Sequence, residues 1–528
     1  MNRFIMWWKT DKRYIFLGKI LFMALLPILC CVVRCAIDGK NIFQVWLPGC
    51  QWNDELFYFK QVEAILQHGF PQGYYGFNES HALKLSFAAW SPVLAMPWVL
   101  WGAIFGWNLM SPILCNITLL SVTCICFVIL TRPNWKQIGI FSVLFCLYTP
   151  IWRYVFSAMP EVICICMVSL FYCFAIRYTR KPSGSLLAVL FIWSFLMTLM
   201  RPYFLLFMLL PIWFMFRKYK WKGLLLSVPV VLLVMIVYYL INHFLSAEYL
   251  IPLFATDWIM AYFQGGIKAG LMATISKLYH SGGMFLAYTI EGFRSGLYAG
   301  TYLAAFDLML LLLFIRCIVD FKQHSLGKKP ENMEIHVHIT FSFVAIFAAL
   351  VMMYVLPEAS RHMISFMCGG ILVISMMDTK HYVKPIYTGL TFLYFFVFMA
   401  KDPLVYEIPY FDQGRQENLT YWEQVYEEYL EVSKDSVPGY ENTIIWVLND
   451  DTDEAADQVV KWQYLYSLPE GFGISCCQKE YLVENFSQLK SRYMLTLSGG
   501  ELDQMCMEAG YEELGRREDT VLYRLCAE

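Results

Sequence analysis

Charge is what this chain has least of. Asp, Glu, Lys and Arg make up only 16% of its 528 residues, against roughly 25% in ordinary soluble domains. Hydrophobic residues make up 58% and aromatics 17%. Most of such a chain cannot be clothed in a water-facing polar surface, which excludes a purely soluble globular protein. Other absences narrow the class. No small-residue cleavage site follows the apolar run that starts near Tyr14. With Arg3, Lys9, Lys12 and Arg13 ahead of it, the run reads as a first spanning helix with a cytoplasmic N-terminus. No CxxC pair or His/Cys spacing marks a zinc site. Most of the 17 cysteines lie in apolar runs, where they act as small hydrophobes. Cys476, Cys477, Cys506 and Cys526 leave a disulfide open without assigning one. Solenoid repeats and low-complexity tracts are missing as well.

The charge that is present is divided unevenly. Residues 1–400 hold 30 Lys/Arg against 16 Asp/Glu, whereas residues 401–528 hold 10 against 26, a net of −16. A membrane part, 1–400, is therefore expected to join an acidic soluble domain, 401–528, and the acidic excess argues against nucleic acid as a partner. Each span needs roughly 20 apolar residues. Eleven runs qualify, near 15–37, 109–130, 138–156, 159–176, 185–200, 202–216, 223–241, 298–319, 337–355, 363–377 and 385–400. The basic clusters Arg132/Lys136, Arg177/Arg180/Lys181, Arg217/Lys218/Lys220/Lys222, Lys322/Lys328/Lys329 and Lys380/Lys384 fall in alternate loops, which Lys/Arg bias assigns to the cytoplasm. The run from Phe87 to Trp107 contains Pro92 and Pro97. Counting it as a span would invert every later loop, so it reads as interfacial or re-entrant. The expected fold is an α-helical polytopic membrane protein with a large first outer loop, 38–108, a second outer loop, 242–297, and a small C-terminal α/β domain outside. The bilayer expected is the plasma membrane. In the tail, Ile444–Leu448, Tyr493–Leu497 and Thr520–Tyr523 are strand-like, and 453–465, 480–491 and 500–509 are helix-like.

The acids concentrate near the outer surface. Asp54 and Glu55 follow span one, where a carboxylate can meet both a lipid-borne and a water-borne substrate; the plain alternative is a pair of solvated loop acids. Glu161, in a short outer turn, is a second candidate, or a helix cap. Arg361 stands in another short outer turn against the charge rule and suits an anion through its planar fork; its alternative is a local pair with Glu358. Arg201 breaks an apolar stretch, as an anion ligand or as a snorkelling interfacial residue. A coupled transporter would more often carry carboxylates at the midplane.

Asp54-Glu55, then Gly69-Phe70-Pro71, Gly73-Tyr74-Tyr75-Gly76, Ala89-Trp90-Ser91-Pro92 and Phe105-Gly106-Trp107 before span two, together resemble the GT-C superfamily of integral-membrane glycosyltransferases. The likeness is to the bacterial protein-mannosyltransferase and aminoarabinose-transferase group. The resemblance implies a sugar donor on polyprenyl phosphate and inverting transfer at the outer leaflet to a glycan, lipid or protein acceptor. It implies catalytic acids at Asp54, with Glu55 secondary, and at Glu161. Donor phosphate would be held by Arg361 and Arg201, with Lys84 a weaker match. Tyr58, Tyr74, Tyr75, His81, Trp90 and His362 are candidates for contact with sugar or lipid. Some relatives bind a divalent metal near the acids; no ligand set here demands one. The competing readings are a lipid-linked-saccharide flippase and a polysaccharide polymerase or ligase.

Overall fold

The computed structural model describes residues 12–46, 54–71, 76–79, 91–245, 256–295, 298–328, 330–353, 361–377, 408, 410–430, 439–448, 462–469 and 471–525. Most of them are helical. In chain order the helices of the apolar part are α1 (Lys12–Ile37), α2 (Asp54–His68), α3 (Met96–Phe105), α4 (Ser111–Thr131), α5 (Trp135–Leu147), α6 (Thr149–Val155), α7 (Glu161–Arg180), α8 (Gly184–Met200), α9 (Leu209–Leu245), α10 (Asp257–Ser295), α11 (Tyr298–Ser325), α12 (Met333–Met353) and α13 (Ile364–Ser375). Among the described residues, five helices are long and apolar enough to cross a membrane, six if a bent pair counts as one span. The expected run at 185–200 is the shorter helix α8, the run at 363–377 is the 12-residue α13, and the run at 385–400 lies outside the described residues.

Local chemistry explains the breaks. An Asn134/Gln137 capping box opens α5. The single span expected at 138–156 is instead bent by 67° between α5 and α6, where Tyr148-Thr149-Pro150 disfavours continuous helix. Helix α9 breaks at Lys220, which has φ 55°. A Cβ at Gly223 would lie 2.3 Å from the Met215 carbonyl oxygen, so only glycine permits this fold-back. The two runs expected on either side of the basic cluster are its two halves. The segment from Pro92 to Phe105 is a short apolar helix. At about 1.5 Å rise per residue it cannot cross roughly 30 Å of hydrocarbon.

Residues 242–297 were expected to form an outer loop; within them Asp257–Ser295 is helical, broken at Gly266, and is not among the helices long and apolar enough to cross a membrane. Its apolar residues are diluted by Gly265, Gly266, Gly270, Lys268, Lys277 and Arg294, so average hydropathy hides its helical stripe. It pairs with α11 as a hairpin, with Thr289 donating to Asp307 at 3.2 Å.

The tail contributes α14 (Gln413–Tyr429), α15 (Lys479–Glu484), α16 (Glu501–Glu508) and five strands of a six-stranded sheet. The strands are β1 (Gly76–Phe77), β2 (Thr443–Leu448), β3 (Gly473–Gln478), β4 (Tyr493–Leu497), β5 (Glu512–Arg517) and β6 (Thr520–Arg524), in the order β1-β3-β2-β4-β6-β5. Strands β1, β3, β2 and β4 run parallel, and β6 and β5 close the sheet antiparallel. The three expected strands are β2, β4 and β6. Of the expected helices, 500–509 is α16 and 480–491 is the shorter α15. Residues 462–467 form a 3-10 turn, and the rest of 453–465 lies outside the described residues. Cys476, Cys477 and Cys506 are buried and free.

Strand β1 comes from the first loop, so the tail is stitched to the apolar part. The Glu79 carboxylate accepts from the backbone of Ser491 at 2.7 Å and of Lys490 at 3.1 Å. Lys60 of α2 donates to the Tyr466 and Leu468 carbonyls, each at 2.9 Å. Tyr410 donates to Asp38 at the end of α1, at 2.7 Å. These contacts fix the tail on the end of the helical body that carries the N-terminus of α2.

Candidate active site

Four segments remote in sequence bring their charges together at that end. Asp54 and Glu55 occupy the first turn of α2 and Glu161 is the first residue of α7, so each acid sits where a helix presents unpaired N–H groups and the positive end of its dipole. Arg201 ends α8, where Pro202 stops the helix. Arg361 opens the short turn before α13.

The lower layer of the site is closed. Arg201 is 1% exposed and its Nη2 donates to Glu161 Oε1 at 2.9 Å. Its Nη1 lies 3.0 Å from the Tyr203 hydroxyl and 2.9 Å from His362 Nδ1. Glu55 is equally buried and accepts from the Ala158 amide at 3.1 Å. Tyr58 is enclosed nearby, and burial, with Asp54 adding to it, pushes its hydroxyl well above the usual tyrosine range.

The upper layer is open. Arg361 Nη2 donates to Asp54 Oδ2 at 3.0 Å, with side-chain exposures of 24% and 32%. The Arg361 Nε stands 4.0 Å from Glu161 Oε1. One guanidinium therefore bridges the two acids of different helices, and Glu161 lies between the buried and the open arginine. Glu161 Oε2 is buried with no partner among the described residues.

The structure thus gathers Asp54, Glu55, Glu161, Arg201, Arg361, Tyr58 and His362. Lys84, Tyr74, Tyr75, His81 and Trp90 lie outside the described residues, as does Glu358. The open members are Asp54 and Arg361. Arg201 is not a snorkelling residue, because it is sealed against Glu161. Among the described residues no group of three or more His, Cys, Asp or Glu side chains is placed for a metal ion. The cation between Asp54 and Glu161 is Arg361, so these residues do not fit a resident divalent metal, and no step is routed through one.

Two positions escaped the sequence reading. Asn116, buried in α4, accepts from Trp98 Nε1 at 3.1 Å and donates to the carbonyls of Tyr154, Val155 and Ser157 at 3.3, 3.3 and 3.0 Å. It thereby holds the turn that carries Ala158 and Glu161. An amide within the apolar stretch Ile113-Leu-Cys-Asn116-Ile is the signal that could have found it. Tyr203 joins Arg201 and His362 and hid among aromatics of ordinary appearance.

No family model matches the chain, and no curated protein matches it by sequence. Its fold is similar to that of the Archaeoglobus fulgidus oligosaccharyltransferase in the apo form, with a TM-score of 0.50, 12% identity, and 92% of this chain and 70% of that one covered. ArnT from Cupriavidus metallidurans also matches. The form bound to undecaprenyl phosphate does so at TM-score 0.41 and 10% identity, over 96% of this chain and 98% of that one. The apo form does so at 0.42 and 9%, over 96% and 97%. At these identities the likeness is one of fold. The chain is a polytopic α-helical protein with a small α/β domain, and its fold is similar to that of the oligosaccharyltransferase.

Proposed function

We propose that this protein transfers a sugar from a polyprenyl-phosphate donor to a cell-envelope acceptor at the outer face of the plasma membrane, with inversion. The observation that carries this reading is the half-open Asp54–Arg361 pair above the sealed Glu161–Arg201 pair. A carboxylate and a guanidinium fork stand within one hydrogen bond of each other at a helix end, both partly exposed, which supports a proton acceptor beside a phosphate-binding group.

Each group has a definite task in this reaction. The donor phosphate takes over the Arg361 fork, a charge-assisted contact that Arg makes better than Lys. That leaves Asp54 Oδ2 to accept the acceptor's hydroxyl proton. The hydroxyl oxygen attacks the anomeric carbon from the face opposite the phosphate. The bond from that carbon to the phosphate oxygen breaks, its electron pair leaves with polyprenyl phosphate, and Arg361 stabilises the charge. A phosphate leaves readily, so no strong general acid is required. Glu161 and Arg201 position Arg361, Glu55 positions the Ala158 turn, and Glu161 Oε2 is left to accept a sugar hydroxyl. Lys/Arg bias supports an outer location for this face. The charges cluster at helix ends, which favours surface chemistry over the flippase reading. The test is to supply the purified protein with polyprenyl-phosphate sugars and candidate acceptors. Release of polyprenyl phosphate in step with glycosylated acceptor supports the reading. Movement of intact donor across vesicles without release supports the flippase instead.

A further inference from the structure

Helix α7 starts in the site at Glu161 and ends, about 30 Å away by its length, at Arg180. There, at the opposite end of the body, three cavities adjoin. The central one, of about 830 Å³, has the charged residues Arg180, Arg217, Lys218, Glu331 and Glu334 in its lining, with His324, alongside apolar surface from Phe214 and Met333. A second, of about 710 Å³, shares Arg217, His324 and Glu334 with it and continues as an apolar cleft along Trp213, Phe321 and Phe341. A third, of about 860 Å³, shares Lys218 and runs between α8 and the two halves of α9 along Phe191, Leu226 and Leu233. Trp213, Ile192, Leu226, Leu233 and Phe341 are all exposed, so both clefts open where a helical membrane body meets lipid.

We propose that this end binds one anionic diacyl phospholipid from the leaflet it faces, with the phosphodiester at Arg217 and Lys218 and one acyl chain in each cleft. The charges match. Arg180 pairs with Glu331 at 3.0 Å and Arg217 pairs with Glu334. Lys218, exposed at the cavity mouth, has no carboxylate partner among the described residues, and its ammonium stands 4.9 Å above the Tyr219 ring. Three cations, Arg180, Arg217 and Lys218, face two carboxylates, Glu331 and Glu334, and a phosphodiester supplies the one missing negative charge. The shape matches too. A cavity that carries the charged groups, flanked on both sides by apolar clefts, suits a two-chain lipid, whereas a single-chain polyprenyl phosphate fills only one. The site is remote from Asp54, so it stands whether or not sugar transfer proves correct.

The test uses the full chain in detergent, titrated with phosphatidylglycerol, phosphatidylcholine, lysophosphatidylglycerol, polyprenyl phosphate and inorganic phosphate. Bound lipid is read by native mass spectrometry and the unfolding midpoint is recorded. The expected result is one retained phosphatidylglycerol, with binding weakened about tenfold in Lys218→Gln by loss of a charge-assisted contact and restored by Lys218→Arg. Ala188→Trp, which fills one cleft, also weakens binding; an unchanged midpoint without lipid shows that each variant is folded. Equal retention of phosphatidylcholine overturns the charge argument. Equal binding of lysophosphatidylglycerol or polyprenyl phosphate overturns the two-chain argument. Occupancy by inorganic phosphate alone makes it a soluble-anion site and overturns the proposal.

Discussion

Asp54 and Arg361 stand 307 residues apart in sequence and share one hydrogen bond of 3.0 Å. Both remain partly open to solvent, while the neighbouring Glu161–Arg201 pair is sealed, with side-chain exposures of 2% and 1%. The open pair can exchange partners when an anion arrives. The sealed pair cannot do so without exposing a buried charge.

This difference predicts opposite phenotypes for the two arginines. Arg201→Ala leaves Glu161 buried and uncompensated, at about 3–5 kcal/mol, so thermal unfolding in detergent should fall sharply. Arg361→Ala should leave the unfolding midpoint close to wild type and abolish donor use. Arg361→Lys, lacking the planar fork, should raise the donor KM while the protein stays folded. A stable, active Arg201→Ala would show that the buried pair positions nothing.

Asn116 should matter as much as a charged residue. Asn116→Leu keeps the volume but takes the partner from Trp98 Nε1 and the Val155 and Ser157 carbonyls, while the Tyr154 carbonyl keeps the Ser157 hydroxyl, at about 1–3 kcal/mol for each group left unsatisfied. The expected result is a lowered unfolding midpoint and a lowered kcat, because the turn before Glu161 loses its anchor. Normal values of both would remove its positioning role.

The tail should have an acid-labile clamp. Arg516 donates twice to Asp503, at 2.9 and 3.0 Å, and Tyr523 and the Gly499 amide donate as well. Burial pushes the Asp503 carboxyl up, but these donors outweigh it and hold it down to about 2. An unfolded Asp titrates near ~3.9. A depressed folded value contributes stability that is complete above about pH 4 and lost as the pH falls through about 2. Hydrogen exchange of β4 and β6 in the full chain should accelerate over that window, and Asp503→Asn should flatten the dependence. A variant that keeps the wild-type acid profile would point to other carboxylates.

The proposed orientation puts the two ends of the helical body on opposite sides of the membrane. Arg180, Lys218 and His324 line one cavity at one end, and the tail is stitched to α2 at the other. Single cysteines at Lys220 and Lys328 should therefore resist labelling from outside intact cells, while one at Glu508 should react. Labelling at Lys220 from outside would reverse the assignment and remove the outer-face mechanism.

The acids at the mouth of span one, the isolated Arg361, the three strongest strands and the basic loops were legible because each breaks a local pattern or repeats one. Partners were not. Arg361 reads in sequence beside Glu358, which lies outside the described residues, whereas its described carboxylate partner, Asp54, comes from α2 307 residues away. Arg201 read as a snorkelling candidate because a linear pattern cannot tell a sealed arginine from an interfacial one. Strand β3, with Ser475, Cys476 and Cys477, was missed because small neutral residues carry no strong period. Edge strand β1 was missed because two residues of the first loop form a strand only against the tail. Helix α10 was missed because its glycines and lysines lower mean hydropathy without breaking its stripe.

The most direct test of the central claim is the turnover of Asp54→Asn with a purified polyprenyl-phosphate sugar and its acceptor, with donor affinity measured on the same protein. A positioned base contributes typically 10²–10⁴-fold. The account predicts a fall of roughly that size in kcat, with donor affinity unchanged or tighter, since a negative charge beside the Arg361 fork has been removed. Near-normal turnover by Asp54→Asn would contradict it.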